Sequence, residues 1–552
     1  AAASDDMLAS QAPQPIQPTP SVAIIGGGIG GAFAAWWLRN ASPAVRIDVY
    51  ERSSAVGGRT LDTGEGDASV ELGASMAIVQ NRYVAEAATA LGLSRQLRSE
   101  ARGRGGGRLG IVGANGRIVF EEAPSGVQTA WRLLSRYGLR PLHRLRRRGS
   151  EFISNFSRLY EAQAAGRAFR EADDLLAAAG LEAWPRMTCA AAMAEAGVGG
   201  EGEGRLVEEL VAGLMHNNYG QAWAPSGALC CFTAVAPLAA GGSSAAFSVV
   251  GGNGALARGL LAASNATVRT SHSVRAVREG EGGRLTLSYT GAGEEGAATY
   301  DHVIYSAPCA AAPDGGGLLQ RCSLLEYQRL HVTLVWGLLD PRSGRRTHGR
   351  IRPVSRCGRQ VPSKFRLDSP SIPTDSPRFP ARLLDPAFFR ARADGEADDG
   401  ASTEEEALAF NAAFSDLLTA ADADVPFLSI GRFGEAAPPG PSRSPGACDR
   451  LYATSPTPRW KLFSRDALSE ERLAPLFLCH DDALTRRHVW DAPGAYPVSR
   501  PRPSGLGTFV LHETAAGALL LHPSAVEAAT SAMEVVAVSG ANAALLVAQR
   551  IG

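Results

Sequence analysis

Three glycines, Gly26, Gly28 and Gly31, follow an apolar run, Val22–Ile25, and lead into the helical pattern "GGAFAAWWLRN", of which Gly31 is the second residue. At that spacing the first glycine permits a tight turn and the second lets the backbone approach a pyrophosphate. The third lets the helix pack close to the strand. Phosphates then face the helix N-terminus, where amide groups and the helix dipole favour an anion. Gly30 lies in the same loop. A second strand pattern, Val45–Glu51, ends on an acid followed by Arg52. Glu51 is placed to accept hydrogen bonds from a ribose 2′,3′-diol, and an acid there disfavours a 2′-phosphate.

A second glycine pair follows at once in "AVGGRT", Ala55–Thr60. Nicotinamide dehydrogenases have no general use for it. A flavin dinucleotide bound in extended form does: Gly57 and Gly58 let the chain pass close by, and Arg59 offers a planar charged fork to the pyrophosphate. "ELGAS", with Gly73, Ala74 and Ser75, resembles the segment that returns to the flavin in glutathione-reductase-type and amine-oxidase-like flavoproteins. The expected cofactor is therefore FAD, not NAD. Val274 lies where related FAD folds give backbone hydrogen bonds to adenine. Near the C-terminus, "HPSAVEAATSAME" adds His522, Ser524, Val526 and Glu527 as cofactor-binding candidates. It reads as a turn and a helix N-terminus directed at the flavin, with Ser524 as the cap.

The chain resembles the prenylcysteine oxidases, or farnesylcysteine lyases. The resemblance is carried by "VAIIGGGIGG", "VYERSSAVGGR", "ELGASM", "NNYGQ", "VVGGNGALARGLL", "RWKLFSRDALSEERLAPLF" and "ATSAMEVVAVSGANAALL". It implies an S-farnesyl or S-geranylgeranyl cysteine as substrate and O2 as acceptor. The products are a prenyl aldehyde, cysteine and hydrogen peroxide. In that chemistry C1 of the prenyl group gives hydride to flavin N5, water adds to C1, and the hemithioacetal collapses. It needs close approach and a dry apolar tunnel rather than a strong base, so no His/Asp/Ser triad is expected. Tyr219 and Gln221 are candidates for the substrate wall. Asn253 is expected to fix a loop near the flavin. Lys461, one of two lysines in the chain, is the candidate to hold a water against flavin N5, as lysines often do in amine oxidases. Trp460 beside it reads as core. An amine oxidase of the same fold and a prenyl-lipid-binding flavoprotein without turnover are the competing readings.

The elements that must position these residues follow from periodicity. The first βαβ unit, a β meander and return strand over about 267–308, and a strand, turn and helix at the C-terminus predict an α/β fold. It is a Rossmann-like FAD-binding domain of the glutathione-reductase/amine-oxidase type, interleaved with an α+β substrate domain. The first domain is expected over 21–100, 245–312 and 506–552, and the second over 101–244 and 313–505. A hairpin turns at Asn115-Gly116. Residues 1–20 read as a disordered leader, and 390–406 as a mobile acidic insert.

With 55 basic and 55 acidic residues the formal charge is zero, which argues against a nucleic-acid partner. The basic stretch "RPLHRLRRRGS", Arg140–Ser150, reads first as a solvated helix face and second as a peripheral contact with an anionic membrane. No uninterrupted apolar run is long enough to span a bilayer. The eight cysteines lack zinc-site spacing, so no metal is expected, and one or two disulfides fit. Three N-x-[ST] sequons and the leader lead us to expect a glycoprotein of the secretory pathway, lysosomal, vacuolar or extracellular, with its signal peptide removed.

Overall fold

The computed structural model describes residues 19–64, 69–97, 107–199, 204–291, 293–313, 315–322, 325–341, 404–436, 457–482, 484–491 and 496–551. The expected leader lies outside the described residues, as does the acidic insert up to 403. Its last residues, 404–406, instead open the helix Glu404–Ala413, whose Ala407 and Phe410 face the core.

Two sheets organise the chain. The first runs Val510–Glu513, Leu519–Leu521, His302–Tyr305, Ser21–Ile25, Arg46–Tyr50, Thr267–Arg269. Its central strands are parallel, and all six lie within 21–100, 245–312 and 506–552. The central strand Ser21–Ile25 is buried along its whole length, as a parallel strand covered on both faces requires. The meander His272–Glu279, Leu285–Gly291, Glu294–Tyr300 packs beside it. The stretch 266–279 is broken at Ser271, whose φ is 56°, so its first part joins the parallel sheet and only its second the meander.

The helix Ile29–Ala41 packs on the C-terminal helix Met533–Ile551. A Cβ on Gly540 would fall 2.6 Å from the Gly30 carbonyl oxygen, so glycine is what allows this backbone approach. The C-terminal helix, at 19 residues and mean hydropathy 1.2, is long and apolar enough to cross a membrane by composition alone. Yet 72% of its apolar window is buried, and its Glu534 and Asn542 bind other elements of the core. It is a core helix.

The second sheet has eight strands, all between residues 108 and 490. The hairpin Arg108–Val112 and Ile118–Glu121 forms one edge, with 114–116 as its turn. Its strand Thr457–Ser464 carries Lys461. Trp460 is fully buried and donates to the Gly337 carbonyl at 3.0 Å. Helices Gly126–Tyr137, Leu139–Ala164, Ala212–Tyr219 and Ala228–Ala240 complete this half.

Candidate active site

The two glycine loops meet. Gly57 donates its amide to the Gly27 carbonyl at 2.9 Å, and Gly28 and Gly57 form an isolated parallel bridge. Gly26 takes φ 106°, and a Cβ on Gly31 would lie 2.1 Å from the Gly26 oxygen. The helix beginning at Ile29 has no side-chain cap and no acid in its first turn. That leaves an anion-accepting helix end, where a dinucleotide pyrophosphate fits. A Cβ on Gly30 would meet Ser306 and Val536.

Glu51 is buried beside this turn. Its Oε2 accepts the Gly27 amide and its Oε1 the Ser53 amide, each at 2.8 Å. The carboxylate is thus held rigid with acceptor capacity left for a diol. Arg52 is exposed. Val274 lies on the strand that starts at His272, whose amide donates to the Glu51 carbonyl at 2.9 Å.

Arg59 does not present an open fork. Its Nη2 donates to both carboxylate oxygens of Glu527, at 2.6 and 2.7 Å, and its Nη1 to Ser531 Oγ at 2.9 Å. Burial works against the guanidinium charge, but Glu527 overrides it and its pKa is raised. The expected cap at Ser524 is also absent. Residues Pro523–Ala528 form a 3₁₀ turn without a side-chain cap, and the α-helix starts at Met533. The turn closes on i+3 bonds, Ala525 amide to His522 carbonyl and Ala529 amide to Val526 carbonyl. Val526 packs its side chain into the main core. His522 places Nδ1 3.0 Å from the Tyr305 carbonyl and Nε2 3.2 Å from Cys309 Sγ. Burial lowers its pKa, so it is a neutral strand-end residue. Cys309 is bridged to Cys322, and Cys189 to Cys231.

The "ELGAS" segment is anchored by hydrogen bonds from Asn253 and Lys461. Asn253 donates its backbone amide to Glu71 Oε1 and its side-chain amide to the Ala74 carbonyl. Lys461 Nζ donates to the Glu71 carbonyl at 2.9 Å and lies 5.0 Å from the Phe463 ring centroid. Burial pushes the Glu71 carboxyl up to about 7, and Asp62 adds to this; the Asn253 amide and Lys461 oppose it. Glu71 Oε2 is buried without a hydrogen-bond partner among the described residues.

A cavity of about 150 Å³ opens between the Gly73–Ser75 segment and the half built on the eight-stranded sheet. Gly73, Ala74, Ser75 and Ser531–Val535 form one side, and Phe152, Ile153, Phe156, Pro237, Leu330 and Phe463 give it an apolar wall. Tyr219 lines it, and its hydroxyl lies 3.1 Å from Thr530 Oγ1. Gln221 is not part of this wall. Its Nε2 donates to the Pro497 carbonyl at 3.1 Å and its Oε1 accepts the Ser499 amide at 2.8 Å. Lys461 sits two residues from Phe463 on the same strand face, beside the cavity rather than in its wall.

Glu534, which the sequence reading did not single out, also lines the cavity. It accepts the Tyr83 and Val84 amides at 2.8 and 3.0 Å and the Tyr160 hydroxyl at 2.7 Å. Burial nevertheless raises its pKa to about 7. An acid inside the small-residue helix pattern "SAMEVVAVSG" was the available signal.

Comparison with known proteins places the chain in a family. The model of the family described as prenylcysteine lyase matches residues 120–344 and 443–552. The chain belongs to the prenylcysteine lyase family. A second model, the NAD(P)-binding Rossmann-like domain, matches residues 24–89. Prenylcysteine oxidase 1 of Mus musculus is 28% identical over 97% of this chain and 90% of its own length. The Homo sapiens protein of that name is 28% identical with the same coverage. Among solved structures, a putrescine oxidase triple mutant gives a TM-score of 0.50 at 14% identity, covering 97% of this chain and 100% of that one. Cyclohexylamine oxidase from Brevibacterium oxydans gives 0.50 at 14%, covering 97% and 99%. These two share the fold. As a family member the protein is an oxidoreductase, a flavin oxidase on a Rossmann-like dinucleotide-binding domain.

Proposed function

We propose that the protein binds FAD and cleaves the thioether of S-farnesyl or S-geranylgeranyl cysteine. With one water and one O2 per turnover, the products are a prenyl aldehyde, cysteine and hydrogen peroxide. The observation that carries this reading is the junction of the paired glycine loops with the apolar cavity, through Gly73–Ser75 and Ser531. FAD bound there supplies a two-electron acceptor for the hydride of C1 and returns the electrons to O2.

The chain's own residues have narrower tasks. The uncapped helix end at Ile29 and the Gly57–Gly58 loop receive the pyrophosphate, and Glu51 receives the ribose diol. The Phe152, Ile153, Phe156 and Phe463 side chains exclude water and hold the prenyl chain by burial of apolar surface. Tyr219 keeps its proton, because burial raises its pKa, and so presents a neutral hydroxyl at the wall. Lys461 holds the Glu71 carbonyl and with it the segment that leads into Gly73–Ser75. The two disulfides among the described residues favour an oxidising compartment for this work, as in the secretory pathway.

The test is an anaerobic titration of the purified yellow protein with farnesylcysteine, following flavin absorbance. Bleaching, then recovery with peroxide release on admitting O2, is the expected result. Binding without bleaching identifies a prenyl-lipid carrier. Bleaching by a polyamine and not by farnesylcysteine identifies an amine oxidase.

A further inference from the structure

The helix Gly126–Tyr137 is mounted with its charged residues inward. Arg132 pairs with Glu121 at 2.7 Å, and Arg136 pairs with Glu209 at 2.6 Å. Tyr137 is buried beside them. The opposite face carries Val127, Trp131 and Leu134, at i, i+4 and i+7, which are 83%, 71% and 37% exposed. Leu139, first residue of the next helix, is 69% exposed. A water-facing helix normally turns such a stripe to the core. Here the ion pairs hold it toward solvent, and Ser125 Oγ caps the helix by accepting the Gln128 amide at 3.2 Å.

The chain adjoining this stripe is basic. Arg140, Arg146 and Arg147 are exposed on the helix Leu139–Ala164, and none has an ion-pair partner among the described residues. His143 and Ser150 continue the exposed face. An aromatic and aliphatic stripe flanked by unneutralised arginines has the composition of a helix that lies in a membrane interface. The same long helix later supplies Phe152, Ile153 and Phe156 to the cavity. At 1.5 Å per residue, Leu139 and Phe152 are roughly 20 Å apart along its axis.

We infer that the protein docks on anionic lipid bilayers through Val127, Trp131, Leu134 and Leu139, with Arg140, Arg146 and Arg147 against the headgroups. Docking there joins the membrane surface to the apolar cavity by a single helix. The inference stands apart from the reaction proposed above, because a vesicle assay contains no substrate.

The experiment is co-sedimentation of the full chain with phosphatidylcholine vesicles, with and without phosphatidylserine. It compares the native protein, a Trp131→Ser/Leu139→Ser variant and an Arg140→Gln/Arg146→Gln/Arg147→Gln variant. Light scattering reports the oligomeric state, and thermal unfolding checks that each variant is folded. We expect native protein on phosphatidylserine vesicles and about tenfold weaker binding by the apolar variant at unchanged melting temperature. The arginine variant should lose its preference for phosphatidylserine. Equal binding by native protein and the apolar variant overturns the inference, as does failure of native protein to bind either vesicle. A native dimer that dissociates with the apolar variant, without vesicle binding, assigns the face to a second copy and also overturns it. If the apolar variant unfolds, Trp131→Gln alone provides the same comparison.

Discussion

Arg59 and Glu527, 468 residues apart in sequence, are joined by two hydrogen bonds of 2.6 and 2.7 Å. The pair ties the second glycine loop to the turn before the C-terminal helix, so both ends of the chain bear on one site. Glu527 is nearly inaccessible, its side chain 3% exposed against 21% for Arg59. Removing one partner leaves the other charge buried and unpaired, at a cost of about 3 kcal/mol or more. Arg59→Ala should therefore lower both urea stability and flavin occupancy. A variant that retains full flavin and native stability would remove the pair from the account.

Lys461→Met should slow flavin reduction or reoxidation without unfolding the protein. The lysine's ammonium holds the Glu71 carbonyl at 2.9 Å, so its loss frees the segment leading into Gly73–Ser75. A misplacement of about 1 Å at a reacting centre costs on the order of a hundredfold in rate. Stopped-flow measurement of each half-reaction checks this; unchanged rates in both would confine Lys461 to a packing role.

Glu71 makes stability depend on pH. Its carboxyl is raised from 4.5 to about 7, so the folded state keeps a proton that the unfolded chain releases in that interval. Stability from this group is fully present below about pH 4.5 and falls as pH rises through about 7. One such group gives a slope of up to about 1.4 kcal/mol per pH unit. Glu71→Gln mimics the protonated form, since Oε2 has no partner to lose, and should flatten the decline by up to one proton's worth. Glu534, also near 7, retains its own contribution. Urea unfolding across this range measures both slopes, and equal slopes in native and variant protein would refute the assignment to Glu71.

What the sequence made legible, and what it hid, has a physical basis. The loop at Gly26–Gly31 declares itself because its requirements are local: a positive φ at Gly26 and no room for a Cβ at Gly31. The place of Glu51 beside that turn is legible for the same reason, because it directly follows the strand Arg46–Tyr50. Ser524 misled because a serine before "AVEAA" looks like a cap, whereas whether a turn continues as α or 3₁₀ depends on packing. Gln221 misled because nothing local says which way a loop amide points, and here its side chain is spent on the Pro497 and Ser499 backbone. The bonds from Glu534 to Tyr83, Glu71 to Asn253 and Lys461 to Glu71 join residues 451, 182 and 390 positions apart. Such pairings are properties of the packed chain, and one sequence does not display them.

The cavity wall gives the most direct test of substrate class. Ile153 and Phe156 lie on consecutive turns of the helix Leu139–Ala164 and both line the cavity. If a prenyl chain rests on them, its affinity comes from apolar surface removed from water, about 0.8 kcal/mol per buried CH₂. Ile153→Ser then removes apolar contact and adds a hydroxyl that the prenyl chain cannot satisfy. KM for farnesylcysteine should rise about tenfold or more while kcat changes little, the signature of lost uniform binding. Neither Gly26–Gly31 nor Gly57–Gly58 lines the cavity, so flavin content should stay native. A fall in kcat at unchanged KM would place Ile153 against the reacting carbon instead. Unchanged values of both would mean that the prenyl chain lies elsewhere and that this cavity is not its tunnel.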